Sequence, residues 1–201
     1  MARIGEFIKS VLAGVMISVG GIVYLSCGNK YAGALLFSVG LISVVTFGFN
    51  LYTGKIGYVL DNNGAFLADT VLSILGNFIG CLFIGLIKQP VGSVEKICSA
   101  KLEKAPADIF TDAILCGILI FICVDIFKKR NTLIGILFCI PTFILSGFEH
   151  SVADMFYFVN ARMISIKSLI FIVIVIAGNA VGGLLIPICF KIVKKCSKQT
   201  E

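Results

Sequence analysis

Six apolar stretches, at roughly 7–27, 32–60, 66–87, 108–127, 132–160 and 165–190, take up most of a 201-residue chain. A hydrocarbon core about 30 Å thick needs about 20 apolar residues per helix. Each stretch is therefore long enough to cross a bilayer, two of them with an interruption. Only 14% of the residues are charged, where a soluble domain carries about a quarter. Backbone polar groups in lipid must be satisfied within the segment, which selects helices for stretches of this length. The expected fold is an all-α membrane protein with six transmembrane helices and one domain spanning 1–201.

The formal net charge of +6 lies largely beside the apolar stretches. It reads as flanking charge on membrane helices, and no nucleic-acid partner is expected. Arg3, Lys9, Lys128, Lys129, Arg130, Lys191, Lys194, Lys195 and Lys198 fall on one predicted side. Lys30, Lys88, Lys96, Lys101, Lys104, Arg162 and Lys167 fall on the other, diluted by Glu95, Glu103 and Asp108. Basic loops stay inside, so both termini are expected in the cytoplasm and the protein in the cell membrane. The run ending Leu25-Ser26-Cys27 faintly resembles a cleaved lipoprotein leader, but the repeat described next requires it as a retained helix. The eight cysteines are scattered with no Cys-x-x-Cys pair. No disulfide, metal or cofactor is expected from that spacing.

Several motifs occur twice. Gly76-Asn77-Phe78-Ile79-Gly80 matches Gly178-Asn179-Ala180-Val181-Gly182 at an offset of 102 residues. Gly48-Phe49 matches Gly147-Phe148 at an offset of 99, and Val11-Leu12-Ala13-Gly14 matches Ile114-Leu115-Cys116-Gly117 at 103. The chain thus divides into a repeat at about 7–87, a connector at about 88–107 and a repeat at about 108–190. Three spans per repeat is an odd number, so the second repeat enters the membrane in the opposite sense, as in many transport proteins. The connector, with Pro90, Gly92, Pro106 and much of the mid-chain charge, is expected to be an exposed linker. Glycines four apart let another backbone approach closely. Asn77 and Asn179 beside them are expected to hydrogen-bond exposed backbone, with direct substrate contact the minority alternative.

The second and fifth stretches carry polar residues where an uninterrupted apolar helix would be expected. One reads Gly48-Phe49-Asn50-Leu51-Tyr52-Thr53-Gly54-Lys55, the other Gly147-Phe148-Glu149-His150-Ser151-Val152-Ala153-Asp154. Both are read as broken helices whose second halves aim their N-termini, with free N–H groups and partial positive charge, toward the centre. His150 is the only histidine. An ionisable group at membrane depth is costly and usually functional, and a histidine exchanges its proton near neutral pH.

The segment Gly147 to Ala153, followed by Asp154-Met155-Phe156, resembles the signature of the formate/nitrite transporter family. Leu51-Tyr52-Thr53-Gly54 resembles that family's loop in the second helix, and the Gly-Asn motifs agree. The resemblance covers nearly the whole chain. It implies a homopentamer in which each protomer has an aquaporin-like six-helix pore, and a substrate among formate, nitrite, hydrosulfide and, in some members, lactate. Three positions depart from the family pattern. Lys55 stands where Asn is usual, Asp154 follows Ala153 where Asn is usual, and Gly117 replaces an Asn of the fourth helix. A family lysine near the entry to that helix corresponds to Lys101 or Lys104.

The mechanism expected from these residues is proton-coupled passage of a small anion. Lys101 and Lys104 give a vestibule positive potential, and His150 supplies a proton so that a neutral acid crosses the apolar slits. Thr53 hydrogen-bonds His150 or the substrate, and Phe49, Leu51 and Phe148 form the constrictions. Glu149 orients its loop by accepting backbone N–H bonds. Asp69, Asp112 and Asp125 cap or flank helix ends, with Asp112 and Asp125 alternatively facing the protein interior, and Lys55 and Asp154 are candidates to pair across the two breaks. The alternatives are a neutral-solute channel and a non-transporting scaffold that keeps the fold. A membrane enzyme is disfavoured, because the sequence has neither Gly-x-Ser-x-Gly nor His-x-x-x-His.

Overall fold

The computed structural model describes residues 2–198, and those residues form helices and connecting turns with no strand. Four helices are each long and apolar enough to cross a membrane: α1 (Ala2–Ser26), α4 (Gly64–Ile87), α6 (Pro106–Arg130) and α9 (Ile166–Ser197). One further pair of helices is long and apolar enough to cross only when its two members are taken together, and it is bent at a break. Helix α7 (Ile134–Ser146) and helix α8 (Ser151–Asn160) meet at an angle of 56°. The second apolar stretch divides into α2 (Lys30–Thr46), a four-residue α3 (Tyr52–Lys55) and a 3-10 turn over Ile56–Asp61. Glycines at 54 and 57 weaken helix propensity there by about 1 kcal/mol each, and the half-helix expected at this point shrinks to a single α turn. The connector is also not a bare linker. It contains α5 (Val94–Glu103), which buries Val94 and Cys98 against the rest of the molecule.

The main packing pairs come in matched sets. Helix α1 packs on α4 and α2, and α6 packs on α9 and α7. In each set the helices touch backbone to backbone. A Cβ at Gly14 or Gly117 would overlap the backbone of Asn77 or Asn179, and one at Gly80 or Gly182 would overlap the carbonyl of Val11 or Ile114. In lipid there is little hydrophobic force between helices, so close backbone approach through small residues carries the association.

Substituting Gly182→Ala is expected to lower stability by about 1–3 kcal/mol, because the added methyl meets backbone that cannot yield. Gly5→Ala, where nothing lies within 4 Å, is expected to stay within about 0.5 kcal/mol of the parent. Thermal unfolding of the two purified variants in one detergent checks the contrast.

Candidate functional site

The two breaks are built alike. Helix α2 ends at Thr46 and the chain turns through Gly48 at φ +65°; helix α7 ends at Ser146 and turns through Gly147 at φ +72°. Glycine adopts this left-handed backbone without the penalty of a Cβ. The next N–H folds back onto the helix just left, Phe49 to the Val44 carbonyl at 2.9 Å and Phe148 to the Phe143 carbonyl at 3.0 Å. The following N–H crosses to the first helix of its own half, Asn50 to the Lys9 carbonyl at 3.2 Å and Glu149 to the Asp112 carbonyl at 3.4 Å.

Two fully buried asparagines complete the breaks. Asn77 Oδ1 accepts from the Tyr52 N–H at 3.0 Å, while its Nδ2 donates to the carbonyls of Ser10 at 2.7 Å and Asn50 at 2.9 Å. Asn179 Oδ1 accepts from the Ser151 N–H at 2.9 Å, and its Nδ2 donates to the carbonyls of Ala113 at 2.8 Å and Glu149 at 2.9 Å. Each amide thus satisfies three backbone groups, any one of which costs about 1–3 kcal/mol if left buried and unpaired.

Both asparagines are committed to backbone, which leaves no amide group of theirs for a ligand. The N–H groups of Tyr52 and Ser151 are likewise already taken. At these first positions the half-helix donors expected to be free are already bonded, and α3 is a single turn.

Where the breaks meet, His150 Nε2 and Thr53 Oγ1 lie 2.8 Å apart, both buried. The other ring nitrogen, Nδ1, accepts from the Ala153 N–H at 3.2 Å and so caps α8. An amide N–H only donates, so Nδ1 carries no hydrogen, and the neutral ring presents its N–H from Nε2 to Thr53. The ring also packs on Phe143, centroids 5.7 Å apart.

Two cavities lie at opposite ends of α1. One, about 240 Å³, is lined by Tyr24, Lys101, Lys104, Phe148, Glu149, His150, Asp154 and Tyr157 among others. The second, about 410 Å³, is lined by Glu6, Phe49, Asn50, Leu51, Lys55 and Lys128 among others. Tyr24 and Glu6 are separated by roughly 27 Å of helix at 1.5 Å per residue. Phe148 and Phe49 are partly buried walls of the two cavities, Leu51 is buried at the second, and Thr53 is enclosed against His150.

The charges of the first cavity are arranged differently from the expectation. Lys101, with a side chain 13% exposed, donates to Glu149 Oε2 and to Asp154 Oδ1, the latter at 2.9 Å. Lys104 donates to Glu149 Oε1 and Asp112 Oδ2, both at 2.7 Å, and to the Gly147 carbonyl at 3.1 Å. Burial works to lower the pKa of each lysine, but the neighbouring carboxylates outweigh it and hold both ammonium groups above the usual lysine range.

Four expectations therefore change. Glu149 binds lysine ammonium groups rather than backbone N–H. Lys101 and Lys104 do not make a positive vestibule, because three carboxylates absorb their charge. Asp112 is a partner of Lys104, not a cap. Lys55 does not reach Asp154: it donates to Asn50 Oδ1 at 3.2 Å and lies 4.9 Å from the Phe66 ring centroid. Asp125 pairs with Lys129 at 2.7 Å inside α6, and Asp69 lies within α4 on the wall of the second cavity.

Sequence reading missed Asp112 and Asp154 as members of this cluster. One signal was available. Asp154 follows His150 by four residues, the spacing that stacks side chains on one helix face. The second cavity has its own polar group, also unremarked in the sequence: Asn50 Nδ2 donates to Glu6 Oε2 at 2.9 Å, and Lys128 Nζ lies 3.4 Å from the Tyr58 ring centroid.

Comparison with known proteins gives this arrangement a context. The chain is 27% identical to the formate channel FocA of Haemophilus influenzae, over 75% of this chain and 64% of that protein's length. It is 27% identical to the nitrite transporter NirC of Salmonella typhimurium, over 77% of this chain and 67% of that one. Its fold superposes on a solved structure described as a pentameric formate channel with formate bound, with a TM-score of 0.74 at 21% identity, covering 96% of this chain and 98% of that one. The family model for formate/nitrite transporters matches residues 3–193. With several helices of membrane length and a match over almost its whole extent, this multi-pass membrane protein belongs to the formate/nitrite transporter family, a family of channels and transporters rather than enzymes.

Proposed function

We propose that the chain is a pH-dependent channel that carries a small monovalent anion (formate, nitrite or hydrosulfide) together with a proton. The observation that carries this reading is the buried His150–Thr53 hydrogen bond at the meeting of two broken helices, with one cavity against each break. A bare anion pays heavily to enter an apolar slit, and its conjugate acid does not. In this reading the anion is gathered in a cavity, meets a proton, and passes His150 and Thr53 as the acid. Phe148 forms the apolar wall on one side, Phe49 and Leu51 on the other. Asn77 and Asn179 hold the broken helices, and Glu149 holds Lys101 and Lys104 beside the break, where both line the first cavity. Support for the substrate class comes from the relatives, one a formate channel and one a nitrite transporter.

The same reading takes residues 1–201 as one domain of two inverted three-helix repeats, at about 7–87 and 108–190. Matched glycine contacts and matched asparagine bonds support it. They recur at offsets of 99 to 103 residues along the chain. Both termini are placed in the cytoplasm and the protein in the cell membrane, from the distribution of basic residues. Assembly as a homopentamer is proposed by analogy with the pentameric neighbour, and the exposed apolar faces of α4 and α9 suit contact with lipid or with another copy.

Proteoliposomes loaded with formate, nitrite or hydrosulfide gradients test the reading. Saturable flux that rises on external acidification is expected for at least one of the three. His150→Ala is expected to cut that flux about 100-fold, the scale of a lost positioning group at the meeting of the two breaks. Undiminished flux in the variant would remove His150 from the mechanism. Separately, native mass spectrometry of the detergent-extracted protein is expected to give about five copies of the 21.6 kDa chain; a monomer would refute the assembly.

A further inference from the structure

We infer that Asp154 is the group that takes up the proton accompanying the anion, and that it must release Lys101 before an anion can occupy the cavity. The inference rests on the transport reading above and adds to it where the proton is held. Asp154 lines the first cavity beside His150, and its carboxyl is 99% withdrawn from solvent. One oxygen, Oδ1, binds Lys101; the other, Oδ2, is buried with no hydrogen-bond partner. A buried carboxylate oxygen with no donor is an expensive arrangement, and a proton arriving there relieves it.

The cluster around it has an excess of one negative charge when all its members are ionised: the ammonium groups of Lys101 and Lys104 face the carboxylates of Glu149, Asp112 and Asp154. The other ionisable groups near Asp154 or lining its cavity are His150 in the break, Tyr24 of α1, Cys98 of α5, Cys116 of α6 and Tyr157 of α8. None of them supplies a compensating cation. Lys101 also lies near the rings of Tyr157 and Phe171, with centroids at 5.9 and 5.8 Å. Each ammonium in the cavity already holds two carboxylates, so an arriving anion competes with a carboxylate for it.

His150 is poorly placed to be the reservoir. A second proton on its ring would have to go on Nδ1, which faces the Ala153 N–H and caps α8. Asp154 has a free oxygen and no such obligation.

The cycle balances. A proton from the cavity side forms an O–H bond on Asp154, whose hold on Lys101 loosens. The anion takes the vacated place on Lys101. The Asp154 O–H bond then breaks as its proton passes to the anion, and the carboxylate returns to Lys101. One anion and one proton enter, and one neutral acid leaves toward His150 and Thr53.

The test is formate-driven flux in proteoliposomes with a pH dye inside, on the wild type, Asp154→Asn and Asp154→Glu. The wild type is expected to move about one proton per formate, with flux rising as much as about tenfold per pH unit of acidification. Asp154→Asn is expected to lose that acid stimulation by at least about tenfold, and Asp154→Glu, which keeps a carboxyl, to retain it. Wild-type pH dependence and proton count in Asp154→Asn would overturn the inference. A wild type that carries none of formate, nitrite and hydrosulfide would count against the transport reading instead. In that case infrared difference spectra of the purified wild type decide about Asp154. Isotope-labelled formate should raise the C=O band of a protonated carboxyl that Asp154→Asn lacks, and the absence of that band in the wild type would overturn the inference.

Discussion

An unpaired backbone N–H or C=O at membrane depth costs several kcal/mol, so a helix can be broken there only if something else takes its place in the hydrogen bonding. In this protein that something is a pair of asparagines. Asn77 and Asn179 each reach three backbone groups at a break, and they can do so because glycines bring α1 against α4 and α6 against α9 at backbone distance. The glycines and the asparagines are therefore one device. Without the close approach the amides would fall short of Ser10 and Ala113. Without the amides the breaks would leave buried orphans, and Thr53 and His150 would not meet.

Electrostatics distinguishes the two ends of the molecule. Lys55 and Asp154 occupy equivalent positions after the two breaks and carry opposite charges. Lys55 is answered by the neutral amide of Asn50, which also binds Glu6. Asp154 is answered by Lys101, brought in from the connector helix. Two unit charges 4 Å apart interact by about 4 kcal/mol at an effective dielectric constant near 20. A cluster in which carboxylates outnumber ammonium groups by one therefore presents a real barrier to an anion until a proton is taken up. Breaking a buried pair by removing one member leaves an uncompensated charge, and this ties Lys101, Glu149 and Asp154 to one another.

Much of this arrangement was legible from the residues. The long apolar runs required membrane-length helices, the polar interruptions near Asn50 and Glu149 marked the breaks, and the repeated Gly-x-x-x-Gly motifs with their asparagines marked the packing seams. The family signature around His150 led to the expectation of Thr53 beside it. What was misjudged had a common cause. The connector looked like an exposed linker because its composition is polar and punctuated by proline and glycine. Yet α5 has one buried edge at Val94 and Cys98, and that edge turns Lys101 inward. The short α3 was also hidden, since its apolar neighbours continue the hydropathy of α2 while Gly54 and Gly57 undo the helix.

Hydropathy, charge placement and repeated motifs are local along the chain, and they were enough to determine an all-helical membrane fold, its seams and the two breaks. Ion partners are not local. Glu149 and Lys101 are 48 residues apart, and Lys104 and Gly147 are 43 apart. Which carboxylate neutralises which lysine depends on where α5 settles over the break before α8. Only the tertiary structure decided that the vestibule lysines are spent on acids, that the second nitrogen of His150 is committed to a cap, and that one oxygen of Asp154 remains without a partner. The physical reason is that charge compensation in a buried site is set by distances of a few ångströms between segments far apart in sequence, and no period or motif along the chain encodes those distances.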